Sequence, residues 1–200
     1  MSKEKGQERF NKDYYERYYF NRATRVATPS YYQRLASFLA AYSAYLDLSV
    51  VRILDLGCGV GGLKAPLKQE FKKAKYSGVE HSRHACEKYG WEHGCASSFS
   101  ALESFDLVIC HDVLQYLDAD RADRALENFG QLTQKILYFS VLTKEDWRDH
   151  VDQHLTDDDV FLRPASWYRK RLSKQFRNLG GGFYLDRGTD AVVYTLEGEI

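Results

Sequence analysis

The sequence predicts an α/β protein with a mostly parallel sheet, helices on both faces and an antiparallel hairpin at its end. Three observations carry that prediction. Between about residues 51 and 141, apolar strand-like runs alternate with helical patterns, which implies right-handed crossovers and a parallel sheet covered on both faces. Gly57, Gly59, Gly61 and Gly62 fall directly after the first apolar run and before an apolar helical pattern, as in a strand, a tight turn and a helix N-terminus. Phe183–Asp186 and Ala191–Leu196 read as two strands around the turn Arg187-Gly188-Thr189-Asp190.

In chain order, Lys3–Phe20 has a charged, tyrosine-rich helical pattern in which Tyr14/Tyr18 and Tyr15/Tyr19 lie one turn apart. These rings either pack the helix onto the domain or cover a ligand pocket. A polar connector with Arg22 and Arg25 leads to a second helix, with Thr28 as N-cap, Pro29 at its first position, and Leu35, Phe38, Leu39, Tyr42 and Leu46 on one face. Residues 1–48 thus form an N-terminal helical lid.

Strands are expected at about 51–56, 75–80, 105–110 and 135–141, with a weaker one near 93–97. Helices fill about 62–71, 82–90 and 119–132, with Ser82 as an N-cap. Residues 49–142 make the ligand-binding core. The segment 143–181 is read as an insertion on the substrate side: a polar stretch, Thr143–Arg163, then a helix whose apolar stripe is Ala165, Tyr168, Leu172, Phe176 and Leu179, ended by Gly180-Gly181-Gly182. Residues 182–200 hold the hairpin.

A chain of 200 residues fits a single domain. With 28 basic and 28 acidic residues the net charge is zero, so no general attraction for nucleic acid or an anionic membrane is expected. Met1–Phe10 lacks an apolar h-region and no long apolar run occurs, so the expectation is a cytoplasmic protein outside the membrane. The four cysteines lack disulfide or zinc spacing and are expected to be reduced. Gly57-x-Gly59-x-x-Gly62 also satisfies the dinucleotide pattern, so the turn alone does not name its ligand.

Three motifs narrow the choice: Leu54-Asp55-Leu56-Gly57-Cys58-Gly59, Tyr76-Ser77-Gly78-Val79-Glu80-His81-Ser82, and the run Phe105–Leu117 with His111 and Asp112 at its centre. In this order and spacing the chain resembles the class I S-adenosylmethionine-dependent methyltransferases. The resemblance implies a Rossmann-like seven-stranded sheet, with the seventh strand inserted antiparallel through the terminal hairpin. It implies S-adenosylmethionine as cofactor and S-adenosylhomocysteine as product.

Glu80 stands at the end of a strand, where an acid can accept hydrogen bonds from both ribose hydroxyls of an adenosine ligand. By the resemblance, Gly57, Cys58 and Gly59 border the methionine half, Asp55 orients the loop or the amino group, and His81 lines the adenine face. Ser97 or Ser98 stands where the family places an adenine-reading group, His111 borders the methyl donor, and Tyr15 belongs to the cover. A dehydrogenase reading is disfavoured because none of the fifteen tyrosines has lysine four residues on.

A sulfonium methyl is already electrophilic, so the protein mainly has to align a nucleophile and exclude water. If the nucleophile arrives protonated, the candidate bases are His111, His150 and His154, with Asp112 behind them. His150 and His154 are spaced for one helical face, but no third ligand accompanies them and no metal is expected. The candidate substrate contacts are Tyr19, Trp147, Arg163 and Trp167. A small-molecule acceptor is the expectation. The alternatives are an RNA or protein acceptor, supported by the basic residues Lys170–Arg177, and a non-catalytic binder of the cofactor.

Overall fold

The computed structural model describes residues 9–198, so the start of the expected first helix lies outside the described residues. Helix α1 (Lys12–Tyr15) is capped by Asn11, whose side chain accepts from the Asp13 and Tyr14 N–H groups. It runs directly into a π-helical turn, Glu16–Phe20. Helix α2 (Pro29–Tyr45) starts as expected, with the Thr28 hydroxyl accepting from the Tyr31 N–H and proline in its first turn.

Five parallel strands follow: β1 (Arg52–Leu56), β2 (Lys75–Glu80), β3 (Glu92–His93), β4 (Phe105–His111) and β5 (Thr133–Ser140). The helices between them are α3 (Lys64–Glu70), α4 (Arg83–Tyr89) and α5 (Ala119–Leu132), with a 3-10 turn at Leu114–Tyr116. Ser82 caps α4 and Asp118 caps α5, each through its side-chain oxygen. The polar stretch after β5 contains α6 (Lys144–Asp149), where Thr143 and Asp146 form a reciprocal capping box. Helix α7 (Ala165–Leu172), β6 (Phe176–Asn178) and β7 (Phe183–Asp186) complete the chain.

The seven strands lie in the order β3-β2-β1-β4-β5-β7-β6. β7 pairs antiparallel with both β5 and β6. The strand order reverses between β1 and β4, and ligands of open α/β sheets bind outside the carboxyl ends of strands at such a point.

The hairpin has different members from those expected. β7 is where the sequence places it, but residues 191–196 form no strand, and Val192, Tyr194 and Leu196 are exposed. Its partner is Phe176–Asn178, upstream. The α7 helix accordingly ends at Leu172 rather than continuing through Leu179. Leu172 and Phe176 are four residues apart, which suits one helical face, yet both are buried by a helix followed by a strand. Gly180, Gly181 and Gly182 all have positive φ, so they form the loop joining β6 to β7 instead of a helix cap. The third strand is also shorter than expected, two residues at Glu92–His93.

The core lies on both faces of the sheet, as alternating strand side chains require. Val108 and Cys110 of β4 pack with Phe129, Phe139 and Phe176, while Leu107 and Ile109 pack with Leu39, Leu67 and Phe183. Phe38, expected inside, is 39% exposed, and together with Tyr42 it meets the ring of Phe183. Cys58 and Cys110 are buried, and all four cysteines are free thiols.

Candidate functional site

The carboxyl end of β1 opens into the glycine turn. Gly57 has φ +77°, and a Cβ there would lie 2.4 Å from Cγ2 of Val113, so only glycine fits between the turn and the segment after β4. The Gly59 N–H donates to Oε2 of Glu80 at 2.8 Å, and the Ser82 N–H donates to Oε1 at 2.8 Å. Glu80 therefore ties the first turn to the N-cap of α4 from a buried position. Burial pushes its pKa up, and the backbone N–H groups of Ser82, Gly59 and His81 oppose that shift. Trp91 braces the turn from below, its indole N–H donating to the Gly59 carbonyl at 2.9 Å. The sequence reading did not single out this tryptophan.

Over the turn lies an aromatic cover. Phe10, Tyr14, Tyr15 and Tyr19 close a cavity of about 90 Å³ whose other walls include Gly57, Gly59, Glu80, His81, Cys95, Asp112, Tyr116 and Arg121. The Tyr14 and Tyr116 hydroxyls are 3.0 Å apart, and the Ser82 hydroxyl donates to the Phe10 carbonyl. Arg9 ties the cover to the far rim, its Nη2 donating to both carboxylate oxygens of Asp157 at 2.7 Å. Burial pushes the phenols of Tyr14, Tyr15 and Tyr19 up, which keeps them as neutral donors.

A second, larger cavity of about 770 Å³ shares Tyr14, Tyr19, Asp112 and Tyr116 with the first. Its remaining walls include Tyr18, Tyr31, Gln115, Ser140, His150 and Asp157. Beside it, at the end of β4, Nε2 of His111 is 2.8 Å from the Tyr31 hydroxyl, and Nδ1 is 3.6 Å from Oδ2 of Asp112. Asp112 has φ +56°, a left-handed conformation rare outside glycine, held by its N–H donating to the Ser140 carbonyl.

The structure brings together Gly57, Gly59, Glu80, His81, Tyr15 and Tyr19 around the first cavity. Cys58 is buried beneath the turn, its Sγ against the backbone of Gly78. Neither Ser97 nor Ser98 lines the cavity; Cys95 does, and Ser97 Oγ is 3.2 Å from the Cys95 sulfur. His111 lines neither cavity directly, although its partners Tyr31 and Asp112 line the larger one. His150 lines the larger cavity, and His154 lies outside both. His150 follows the end of α6 and His154 lies past it, so the two do not share the helical face expected for them. Among the described residues no group of three or more His, Cys, Asp or Glu side chains could hold a metal ion.

Three of the expected substrate contacts sit elsewhere. Trp147 lines neither cavity. Trp167 is stacked against the Arg171 guanidinium at 3.6 Å from ring centre, and Arg171 pairs with Asp123 of α5. A contact between helices has taken up that part of the basic patch. Arg163 is buried, and its guanidinium donates to the carbonyls of Leu114, Leu117 and Phe161 and to the Tyr168 hydroxyl. It braces the segment after β4 rather than facing a ligand. Replacing Arg163 by methionine is expected to lower unfolding free energy by about 2–4 kcal/mol, because buried carbonyls lose their donors. Urea denaturation checks this, and unchanged stability would show that the brace is dispensable.

Asp55 also points away from the cavities, accepting from the Tyr76 hydroxyl at 2.7 Å. Burial pushes its carboxyl up to about 6, against the opposing pull of that hydrogen bond. Unfolded aspartates titrate near 4, so the folded state binds the extra proton between about pH 4 and 6. Stability at this position is therefore greatest below that window and falls as pH rises through it, by at most about 3 kcal/mol. Urea midpoints compared between the protein and Asp55→Asn should diverge across the window. Parallel pH profiles would refute the assignment.

Residues 54–135 match the family model described as a methyltransferase domain. No curated protein matches the chain. Among solved structures, it is similar to magnesium protoporphyrin IX methyltransferase (ChlM) from Synechocystis PCC 6803 with bound S-adenosylhomocysteine, at 19% identity and TM-score 0.61, covering 92% of this chain and 97% of that one. DesVI of Streptomyces venezuelae aligns at 14% identity and TM-score 0.61 over 87% and 96% of the two chains. The N-methyltransferase NodS from Bradyrhizobium japonicum WM9 aligns at 16% identity and TM-score 0.56 over 78% and 88%. The match covers 82 of the 200 residues, and the solved structures share the fold of the chain, a seven-stranded sheet with an antiparallel seventh strand.

Proposed function

We propose that this protein transfers a methyl group from S-adenosylmethionine to a small-molecule acceptor, with the donor bound in the smaller cavity and the acceptor in the larger one. The observation that carries the reading is the placement of Glu80. A buried carboxylate at the end of β2 is fixed by the Gly59 and Ser82 N–H groups and borders the smaller cavity. A carboxylate offers about four acceptor sites, and a ribose hydroxyl would share them with the backbone N–H groups and displace the Tyr15 hydroxyl. The donor set fits an adenosine ligand: an acid for the ribose, a glycine turn where main chain can approach, and aromatic rings for cover.

The volume adds a condition. Ligand pockets usually run from about 300 Å³ upward, and about 90 Å³ under the closed cover is well below that. On this reading the segment bearing Phe10, Tyr14, Tyr15 and Tyr19 moves outward as the donor enters.

S-adenosylmethionine supplies a methyl group on sulfonium sulfur and leaves as S-adenosylhomocysteine. The chain's own contribution is alignment and exclusion of water. Tyr19, Asp112 and Tyr116 stand on the boundary between the two cavities, where donor and acceptor would meet. His111, which lines neither cavity itself, would take up a proton released there through Tyr31 and Asp112. The segment 143–160, with Asp146, His150, Leu155 and Asp157, forms the outer acceptor wall.

A small acceptor is favoured by the zero net charge and by the partial neutralisation of the basic face, where Arg171 already pairs with Asp123. NodS, an N-methyltransferase, and ChlM, named for magnesium protoporphyrin IX, share the fold. The test is S-adenosylhomocysteine release with three fractions of a cell extract: low-molecular-weight compounds, RNA and protein. Turnover with the first is expected. Turnover confined to RNA or protein would overturn the small-molecule reading, and none with any fraction would overturn the enzymatic one.

A further inference from the structure

We infer that the protein binds the phosphoryl group of a phosphate-bearing ligand in a small cavity formed by α7, β6 and the end of β7, separate from the two cavities of the proposed active site.

This cavity, of about 90 Å³, is lined by Arg169 of α7 and Ser173 at its end, by Arg177 and Asn178 of β6, and by Tyr184 and Arg187 of the β7 region. No acidic side chain stands on its wall. Elsewhere in the chain guanidinium groups meet carboxylates: Arg9 pairs with Asp157, Arg52 with Glu103, Arg121 with Asp118 and Arg171 with Asp123. Asp186, next to Arg187 in the chain, accepts instead from the Gly188 N–H at 2.9 Å. Three cationic side chains therefore share one small space in a chain whose net charge is zero. Like charges gathered in this way repel, and an anion among them removes the cost.

Two of the three are anchored to main chain. Nε of Arg187 donates to the Ser173 carbonyl at 3.0 Å, and Nη2 of Arg177 donates to the Thr189 carbonyl at 3.4 Å. Both terminal nitrogens of Arg187 and the whole guanidinium of Arg169 remain without a partner among the described residues. Arg169 and Arg187 are exposed, so these N–H groups are open to a ligand. Oδ1 of Asn178 accepts from the Gly180 N–H at 2.9 Å, which leaves its amide NH2 as a further donor.

A set of donors with surplus positive charge selects an anion, and its size and charge narrow the class. A phosphoryl group carries about −1.5 to −2 charge at neutral pH and three strong acceptor oxygens, which guanidinium forks engage in pairs. A carboxylate brings one charge and two oxygens and leaves most of the cationic charge uncompensated. The cavity is well short of the ~300 Å³ at which pockets enclose whole ligands, so it receives the phosphoryl group and the rest of the ligand lies outside.

Calorimetric titration of the full chain with inorganic phosphate, phenyl phosphate and acetate, at one ionic strength, tests the inference. Inorganic phosphate is expected to bind about tenfold tighter than acetate, or better. Arg169→Gln and Arg187→Gln are each expected to weaken phosphate binding about fivefold or more. Lys170→Gln removes the same charge from the adjacent position of α7, where Lys170 lines a different cavity, and should change the affinity less than about twofold. A thermal melt establishes that the variants fold. Phenyl phosphate binding as well as phosphate assigns the site to phosphate esters, and phosphate binding alone assigns it to the free ion; either result supports the inference. Phosphate held no more tightly than acetate, or not held at all, overturns it. Unchanged affinity in both arginine variants does the same. An equal loss in Lys170→Gln overturns it too, because it would reveal a diffuse basic face of the kind that contacts RNA.

Discussion

Replacing Glu80 by alanine is expected to weaken S-adenosylmethionine binding by about 1–3 kcal/mol, roughly five- to 150-fold, the range for losing hydrogen bonds to a charged group. The same carboxylate also receives the Gly59 and Ser82 N–H groups, so the unliganded variant should melt at a lower temperature. Two effects then share one substitution, and Glu80→Gln separates them. Glutamine keeps one acceptor oxygen and fills the same volume, but its amide nitrogen cannot accept from backbone or ribose. It should recover part of the melting temperature and little of the affinity. Calorimetric titration and a melt of each variant decide the matter, and an unchanged dissociation constant in Glu80→Ala would remove Glu80 from the donor site.

The second large effect concerns the cover. The Tyr19 hydroxyl lies 3.6 Å and its ring 3.7 Å from where a Cβ on Gly59 would stand, over the glycine turn. If donor entry waits on displacement of that ring, Tyr19→Ala should raise the association rate of S-adenosylhomocysteine about tenfold, a barrier change of about 1.4 kcal/mol. Acceptor turnover should fall, because Tyr19 also walls the larger cavity. Stopped-flow measurement of association reads the first effect. A rate no faster than that of the unaltered protein would mean that the cover does not gate entry. Arg9→Ala should act in the same direction more weakly, since it removes partly exposed pairs with Asp157 and Asp159 and leaves the Tyr19 ring in place.

Much of the sheet was legible because its signals are local. The apolar runs, the caps at Thr28 and Ser82, and the acid at the end of β2 all act within a few residues. The structure places β1, β2, β4 and β5 within about two residues of the expected spans. Where the reading went astray, the deciding partner lay far along the chain. β6 takes its identity from pairing with β7 across a glycine loop, and the helical spacing of Leu172 and Phe176 gives no hint of that. Arg163 was expected to contact a substrate, yet it serves carbonyls nearly fifty residues upstream. Tyr14 meets Tyr116, and Tyr31 meets His111, through contacts no local pattern encodes.

The candidate site shows the same division. Glu80 and the glycines announce themselves through spacing. Trp91 does not, because its hydrogen bond to the Gly59 carbonyl closes across 32 residues and shows only once the turn is folded.

The most direct test of the account is a crystal structure of the protein with S-adenosylhomocysteine. The ribose hydroxyls should lie within hydrogen-bond distance of Glu80, with the Tyr19 ring shifted from above Gly59 and Asp112 at the boundary of the open acceptor cavity. Density for the nucleoside away from the carboxyl ends of β1 and β2, or a ribose that leaves Glu80 untouched, would contradict it.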